Sequence, residues 1–422
     1  MNWQLLAQHA WQPPLAFAAR VAGESDFSLL YSGRQEAASG ANSFLALEPA
    51  FHATGTHWED LPPVADTSAL PDWIGYLGYG TGSAKVLAPS PVPMPDFWLT
   101  RYQRLYYFDH ATETILEYGR YDANRPRVWD AAPAPASLPT VQTLRSNMTR
   151  ARYEESVRDT VHAIAAGDFY QANITRKFSG TLTAHAEPMA LFARLCARSP
   201  APFSALIRHG DMAILSSSPE SFLQVDAQTI TARPIKGSIR RGADAGEDMR
   251  LREQLRSSEK NQAENLMIVD LMRHDLAQVS KPGSVRVREQ SALYSYATIH
   301  HLVSTIDAQR AASVSVIDIV RACFPPGSMT GAPKHAVMQW CAAQERIARG
   351  VYSGAIGWLN AARCDLSVVI RTVLLAGDRF EFQVGGGIVA DSDPADEWHE
   401  TLVKARGIAQ AMGIDEATLA AL

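Results

Sequence analysis

Apolar residues Tyr153, Val157, Val161 and Ile164 recur at three- and four-residue intervals, the period of a helix that buries one face, and Gly167 is placed to end it. The same period after Ser258 gathers Met267, Ile268 and Leu271 on one face, with Ser258 as N-cap and Glu259 near the positive end of the helix dipole. A third helix is predicted after Asp393, with Pro394 in its first position and Gly413 just past its end. The runs "FWLTRYQRLYYFDH" (97–110), "MAILSSSP", "DLSVVIRTVLLAG" and "RFEFQV" predict strands, and "IVRACF" (319–324) fits a strand less clearly. Repeated X-Pro makes "LAPSPVPMP" (87–95) an extended connection and "AAPAPASLPT" (131–140) a linker. Strands and helices interleave without a strict βαβ rhythm. The predicted class is therefore α+β, with large antiparallel sheets and helices packed outside. The predicted division is an N-terminal region, 1–145, and a second domain, 146–415.

Composition narrows the function classes. With 46% apolar and 20% charged residues, the 422-residue chain has the profile of a soluble globular protein with a large core. A net charge of −5 supplies no basic surplus for nucleic acid or an anionic membrane. The start, "MNWQLLAQHAWQPP", lacks the basic and apolar regions of a secretory signal, and no run of about 18 apolar residues predicts a membrane span. The four cysteines, Cys196, Cys323, Cys341 and Cys364, are far apart and fit reduced thiols of a cytoplasmic protein rather than a zinc site.

Several polar residues stand where packing alone does not explain them. Glu264 precedes Met267, Ile268 and Leu271 by three, four and seven residues, which puts a carboxylate on the apolar face, either buried and paired or cation-bound, or at the stripe's edge reaching water. Glu397 and Glu400 are neighbours on the helix after Asp393, and Lys404 lies one turn beyond Glu400. A surface ion pair and a Mg²⁺ site shared with Glu264 both satisfy this spacing, since Mg²⁺ takes oxygen ligands. The glycines Gly385, Gly386 and Gly387 in "VGGGIVADS" leave backbone N–H groups open to an anion, though without the GxGxxG pattern. "PPGSMTGAPK" (325–334) lacks the ending of a phosphate loop and predicts a turn with exposed amides and the Thr330 hydroxyl. Lys236, in "RPIKGSIRRG", stands where a strand is predicted to enter a turn, and taken alone it is a loop lysine.

Nine ordered segments, "GDFYQANIT", "LSSSPESF", "RPIKGS", "KNQAENLMIVDLMRHDL", "HHLVST", "GSMTGAPK", "YSGAIGW", "IRT" and "GGGIVADSDPADEWHET", together resemble the chorismate-utilising enzymes. That family includes anthranilate, aminodeoxychorismate, isochorismate and salicylate synthases. The likeness covers roughly residues 150–410, with a weaker match through "DWIGYLGYG" and "LYYFDH". It implies two large, mainly antiparallel sheets packed face to face, helices outside, and an active site in the cleft between them. It also implies roles. Glu264 and Glu400 match magnesium ligands, with Glu397 reaching the metal through water. Gly385, Gly386 and Gly387 lie where chorismate's ring carboxylate would sit. Tyr352 and Arg371 match residues holding the enolpyruvyl carboxylate, Lys404 a carboxylate-side lysine, and His301 a histidine beside the ring. Thr330 and Gly331 match substrate-positioning residues, and Glu220 the general acid for loss of the 4-hydroxyl.

Two positions separate the family's reactions. Water-adding members carry a lysine at the position of Gln171, and glutamine cannot serve as a general base. Anthranilate synthases typically carry alanine at the position of Lys236, whereas lysine there marks the aminodeoxychorismate branch. In that branch the lysine amine attacks C2 as the 4-hydroxyl leaves, and ammonia then attacks C4 and expels the lysine. A nucleophilic amine must be neutral, a form favoured by desolvation or nearby cations. Arg233, Arg240 and Arg241 are near in sequence. No Gly-x-Cys-x-Gly elbow surrounds any cysteine, so ammonia is expected from a separate glutamine amidotransferase subunit, and no lyase is expected after the synthase. The segments "FSLLYSG" (27–33) and "SPAPFSA" (199–205) match a tryptophan pocket of relatives and equally fit ordinary strand packing. His274 stands where the family usually has asparagine, an expected effect on packing rather than chemistry.

Overall fold

The computed structural model describes residues 2–33, 42–82, 90–129, 136–296 and 299–422. Residues 87–89 of the predicted connection and 131–135 of the predicted linker lie outside them.

Among the described residues, twenty strands form one branched hydrogen-bonded network. One arm runs, all antiparallel, from Val141–Ser146 through Gln171–Leu182, Arg379–Ile388, Thr372–Ala376, Met212–Ser218, Phe203–His209 and Asp26–Tyr31 to Asn42–Gly55. Asn42–Gly55 pairs with Phe97–Asp109, whose other edge takes Thr114–Gly119 at one end and Trp73–Leu77 at the other. From Trp73–Leu77 a second arm continues through Ala355–Leu359, Cys364–Val368, Ser221–Val225 and Thr229–Arg233 to Ile299–Gln309. That last strand also pairs with Ile235–Arg240 and Arg286–Ser295.

The arms are two sheets packed face to face. Ala205, Ile207, Ile214 and Leu374 from the first meet Tyr76 and Ile356 from the second in one buried cluster. Strand alternation then sends Leu206 and Leu215 to the opposite face, where they pack with Phe192, Leu195 and Ile408 of the helices Pro188–Arg198 and Pro394–Met412. On the second sheet's outer face, Leu223, Ile230 and Ile306 pack with Ile268 and Met272 of the helix Glu259–Ala277 and Ile319 of the helix Val316–Cys323. The fold is thus α+β, two mainly antiparallel sheets with helices outside.

The predicted helix ends hold. Ser258 accepts from the Asn261 amide, Asp393 accepts from the amides of Ala395 and Asp396, and Gly167 and Gly413 close their helices in the left-handed region. Four local expectations need correction. "IVRACF" is mostly helical, because Ser315 and Asp318 form a capping box and Val316, Ile319, Val320 and Cys323 share its buried face. Lys236 lies inside a strand, where a register shift between Ile235 and Ser238 and Gly237 at φ +86° make a bulge rather than a turn. The three glycines continue the strand Arg379–Ile388, facing Thr175, Ile174 and Asn173 across the ladder. Gly327–Thr330 is a short buried helix, not a turn with exposed amides. All four cysteines are buried and free. Among the described residues no helix is long and apolar enough to cross a membrane.

Candidate active site

Lys236 enters the space between the sheets from the second sheet, and Gly387 faces it from the first. The Lys236 Nζ donates to the Ser328 carbonyl at 3.3 Å. A Cβ on Gly387 would stand 3.3 Å from that Nζ and 2.4 Å from Gln171 Nε2, so glycine keeps this wall open. Gln171 is buried at the start of its strand, and its Oε1 has no hydrogen-bond partner. Glu220 follows the strand Met212–Ser218 and is also buried. It accepts from the Ile235 amide at 3.5 Å, which places it against the backbone next to Lys236. Burial pushes Glu220 above the ordinary carboxylate range, opposed by a hydrogen bond from Ser328 and the charges of Lys236 and Lys404. A small pocket adjoins it, lined in part by Pro234, Met272, Pro326, Gly327 and Ser328.

The predicted cationic neighbours of Lys236 are engaged elsewhere. Arg240 pairs with Glu247 and Arg241 with Asp248, while Arg233 donates to Gln224. The charges that Lys236 influences are carboxylates: Glu220, Glu264 and Glu400. The adjacent histidines divide. His300 contacts Ser295 and Asp248, and His301 sits opposite Ser238 with Nδ1 2.5 Å from its hydroxyl and its ring tilted on Tyr296.

The helix Glu259–Ala277 and the helix Pro394–Met412 bring the three predicted metal ligands into one electrostatic group. Burial raises Glu264, with Lys236 and Lys260 opposing and Glu400 and Glu397 adding repulsion. Glu264 makes no hydrogen bond among the described residues. Glu397 is buried: its Oε1 accepts from Ser392 at 2.7 Å and Lys260 at 3.2 Å, and its Oε2 has no partner. A Cβ on Gly386 would stand 2.7 Å from that Oε2. Glu400 is half-exposed and is held below the ordinary range chiefly by Lys404, which also donates to the Gly385 carbonyl at 2.8 Å. The expected ion pair of Glu400 and Lys404 is present. The ligand oxygens of Glu264, Glu397 and Glu400 do not all lie within 4.8 Å of one another. The all-oxygen donor set and the orphaned Oε2 fit Mg²⁺, which takes one or two carboxylates together with waters.

The remaining predicted residues are placed as follows. Thr330 is buried with its hydroxyl donating to the Pro326 carbonyl at 2.7 Å, and Gly331 pairs with Ala172 beside Gln171. Tyr352 is buried among apolar residues of the second sheet. Arg371 takes a left-handed backbone, φ +49°, between two strands, a conformation held only where the surroundings over-determine it. Lys260, Ser328, Ser238 and Ser392 were not singled out from sequence. Lys260 had a signal, since it precedes Glu264 by one helical turn. Burial opposes its charge, yet Glu397, Glu264 and Glu400 raise it.

A second pocket lies where the segments 27–33 and 199–205 meet. Leu30, Tyr31, Phe203, Ser204, Trp358 and Asp365 are among its lining residues.

The family model for chorismate binding enzymes matches residues 14–410. The chain is 36% identical to aminodeoxychorismate synthase component 1 of Salmonella typhimurium over 376 residues, covering 86% of this chain and 82% of that one. It is 35% identical to anthranilate synthase component 1 of Streptomyces coelicolor over 389 residues, covering 84% and 76%. The crystal structure of anthranilate synthase component I from Streptococcus pneumoniae superposes with a TM-score of 0.75 at 27% identity, covering 90% of this chain and 93% of that one.

Proposed function

The chain belongs to the chorismate binding enzymes, and from that premise we propose that it is an aminodeoxychorismate synthase component that converts chorismate and ammonia to 4-amino-4-deoxychorismate. The observation that carries this reading is the Lys236 amine, set between the sheets beside Gly387 and next to the buried acid Glu220. Lys236 Nζ attacks C2 of chorismate, both ring double bonds shift by one position, and the C4 hydroxyl leaves as water with the proton of Glu220. Ammonia then attacks C4, both double bonds shift back, and the C2–N bond to Lys236 breaks. Overall, chorismate and ammonia become aminodeoxychorismate and water. His301, tied to Ser238, lies beside the ring, and Gln171, Thr330 and Gly331 help position the substrate. Tyr352, Arg371, Lys404 and the amides of Gly385, Gly386 and Gly387 serve its carboxylates.

Glu264 and Glu400, with Glu397 through water, would hold Mg²⁺, which supplies positive charge for the ring carboxylate when bound. Ammonia comes from a separate glutamine amidotransferase subunit, in line with the "component 1" of the Salmonella relative. We assign tryptophan to the pocket at Trp358 and Asp365, where the segments 27–33 and 199–205 meet. A cytoplasmic location completes this reading.

The similarity to a Streptomyces coelicolor anthranilate synthase favours a second reading, amination at C2 with Lys236 incidental. Incubation with chorismate, ammonia and Mg²⁺ followed by product identification separates the two. Aminodeoxychorismate is the expected product, and direct formation of anthranilate would overturn the assignment.

A further inference from the structure

Three metal-ligating side chains meet at a rim of the first sheet that the proposed reaction does not use. Asp26 and His209 are register partners where Asp26–Tyr31 pairs with Phe203–His209, and they form an ion pair through Asp26 Oδ1 and His209 Nδ1. Both atoms are buried and face each other. His52 reaches them from Asn42–Gly55, and one ligand atom from each of the three residues lies within 4.8 Å of the others. A simple ion pair would need only Asp26 and His209 and gives no reason for a second imidazole against the first, ring centroids 4.7 Å apart.

The surroundings orient these rings. Trp98 packs on His209 at 4.2 Å between centroids. His52 Nδ1 accepts from the indole N–H of Trp98 at 3.3 Å and lies 3.0 Å from the Thr100 hydroxyl.

We propose that Asp26, His52 and His209 form a site for a divalent transition metal of the Zn²⁺ class, tying Asn42–Gly55 to the ends of Asp26–Tyr31 and Phe203–His209. Two imidazoles and one carboxylate suit Zn²⁺ or Co²⁺ with a water completing the shell, whereas Mg²⁺ prefers oxygen donors. The four cysteines are buried with burial holding Cys196, Cys323, Cys341 and Cys364 well above the ordinary thiol range, so they do not compete.

The test uses the full chain in Mg²⁺-containing buffer, titrated with Co²⁺ as a visible-absorption probe and then with Zn²⁺. One equivalent of Co²⁺ is expected to give d–d bands that Zn²⁺ abolishes, and Zn²⁺ is expected to raise the thermal midpoint. His52→Ala, at an exposed position, and His209→Ala should each weaken Co²⁺ binding by about 10-fold or more and remove the Zn²⁺ response. Absence of Co²⁺ bands at saturation in the unmodified chain, or bands unchanged in either variant, would overturn the site.

Discussion

Lys236 and Gly387 face each other across the gap between the sheets, with the lysine Nζ 3.3 Å from the point a Cβ on Gly387 would occupy. The same point is 2.4 Å from Gln171 Nε2. Gly387→Ala is therefore expected to displace two flexible side-chain ends while leaving the strand intact. Catalysis depends on reacting atoms held near attack distance, and a shift of about 1 Å can reduce it about 100-fold. Steady-state kinetics should show that loss with an unchanged thermal midpoint. A variant with unimpaired kcat/KM would show that this contact has no role in positioning the amine.

Glu220 is raised by burial, so it stays protonated to higher pH than an exposed glutamate. An acid in this position supports activity below its raised value, and activity should fall as pH rises through it. Its contribution to stability has the same sign: present in full below the unfolded value, and lost as pH rises through the folded one. Glu220→Gln is expected to lower kcat by about 10²- to 10⁴-fold and to remove that alkaline limb. A variant that keeps the wild-type pH profile would exclude Glu220 as the acid.

Removal of Mg²⁺ with a chelator should stop turnover without unfolding the protein. Mg²⁺ at about 100 times its dissociation constant should stabilise the chain by about 2.7 kcal/mol, seen as a rise in thermal midpoint. Glu264→Gln should lose both the activity and the Mg²⁺-dependent rise. Turnover that persists in chelator would refute the metal site.

The first sheet also buries an ion pair, Lys177 with Glu381 at 2.9 Å, with both side chains almost inaccessible. Glu381 further accepts from Ser90 and the Val92 amide. Glu381→Ala would strand the lysine, at a cost of about 3–5 kcal/mol in chemical denaturation. A loss well under 1 kcal/mol would mean that water reaches Lys177.

Local signals with a defined mechanism were legible in the sequence. The caps at Ser258 and Asp393 and the stops at Gly167 and Gly413 depend on a few adjacent residues, and each stands as expected. The place of Glu264 on an apolar helix face was legible, while its burial, rather than a reach to water from the stripe's edge, is set by the packing. Features set by distant pairing were not legible. "IVRACF" is too short for its apolar run to choose between periods, and the Ser315–Asp318 capping box decided for helix. Gly237 takes its left-handed conformation within a bulge that exists only because Ile299–Gln309 lies alongside. Sequence proximity also misled at Arg240 and Arg241, since the local carboxylates Glu247 and Asp248 engage both.

The nucleophilic role of Lys236 is tested most directly by intact-protein and peptide mass spectrometry after mixing the chain with chorismate and Mg²⁺ in the absence of ammonia. The expected result is a mass increase of chorismate less one water, on the peptide containing Lys236, that disappears when ammonia is added and does not form in Lys236→Ala. Formation of aminodeoxychorismate by Lys236→Ala at the wild-type rate, with no adduct on the unmodified chain, would contradict it.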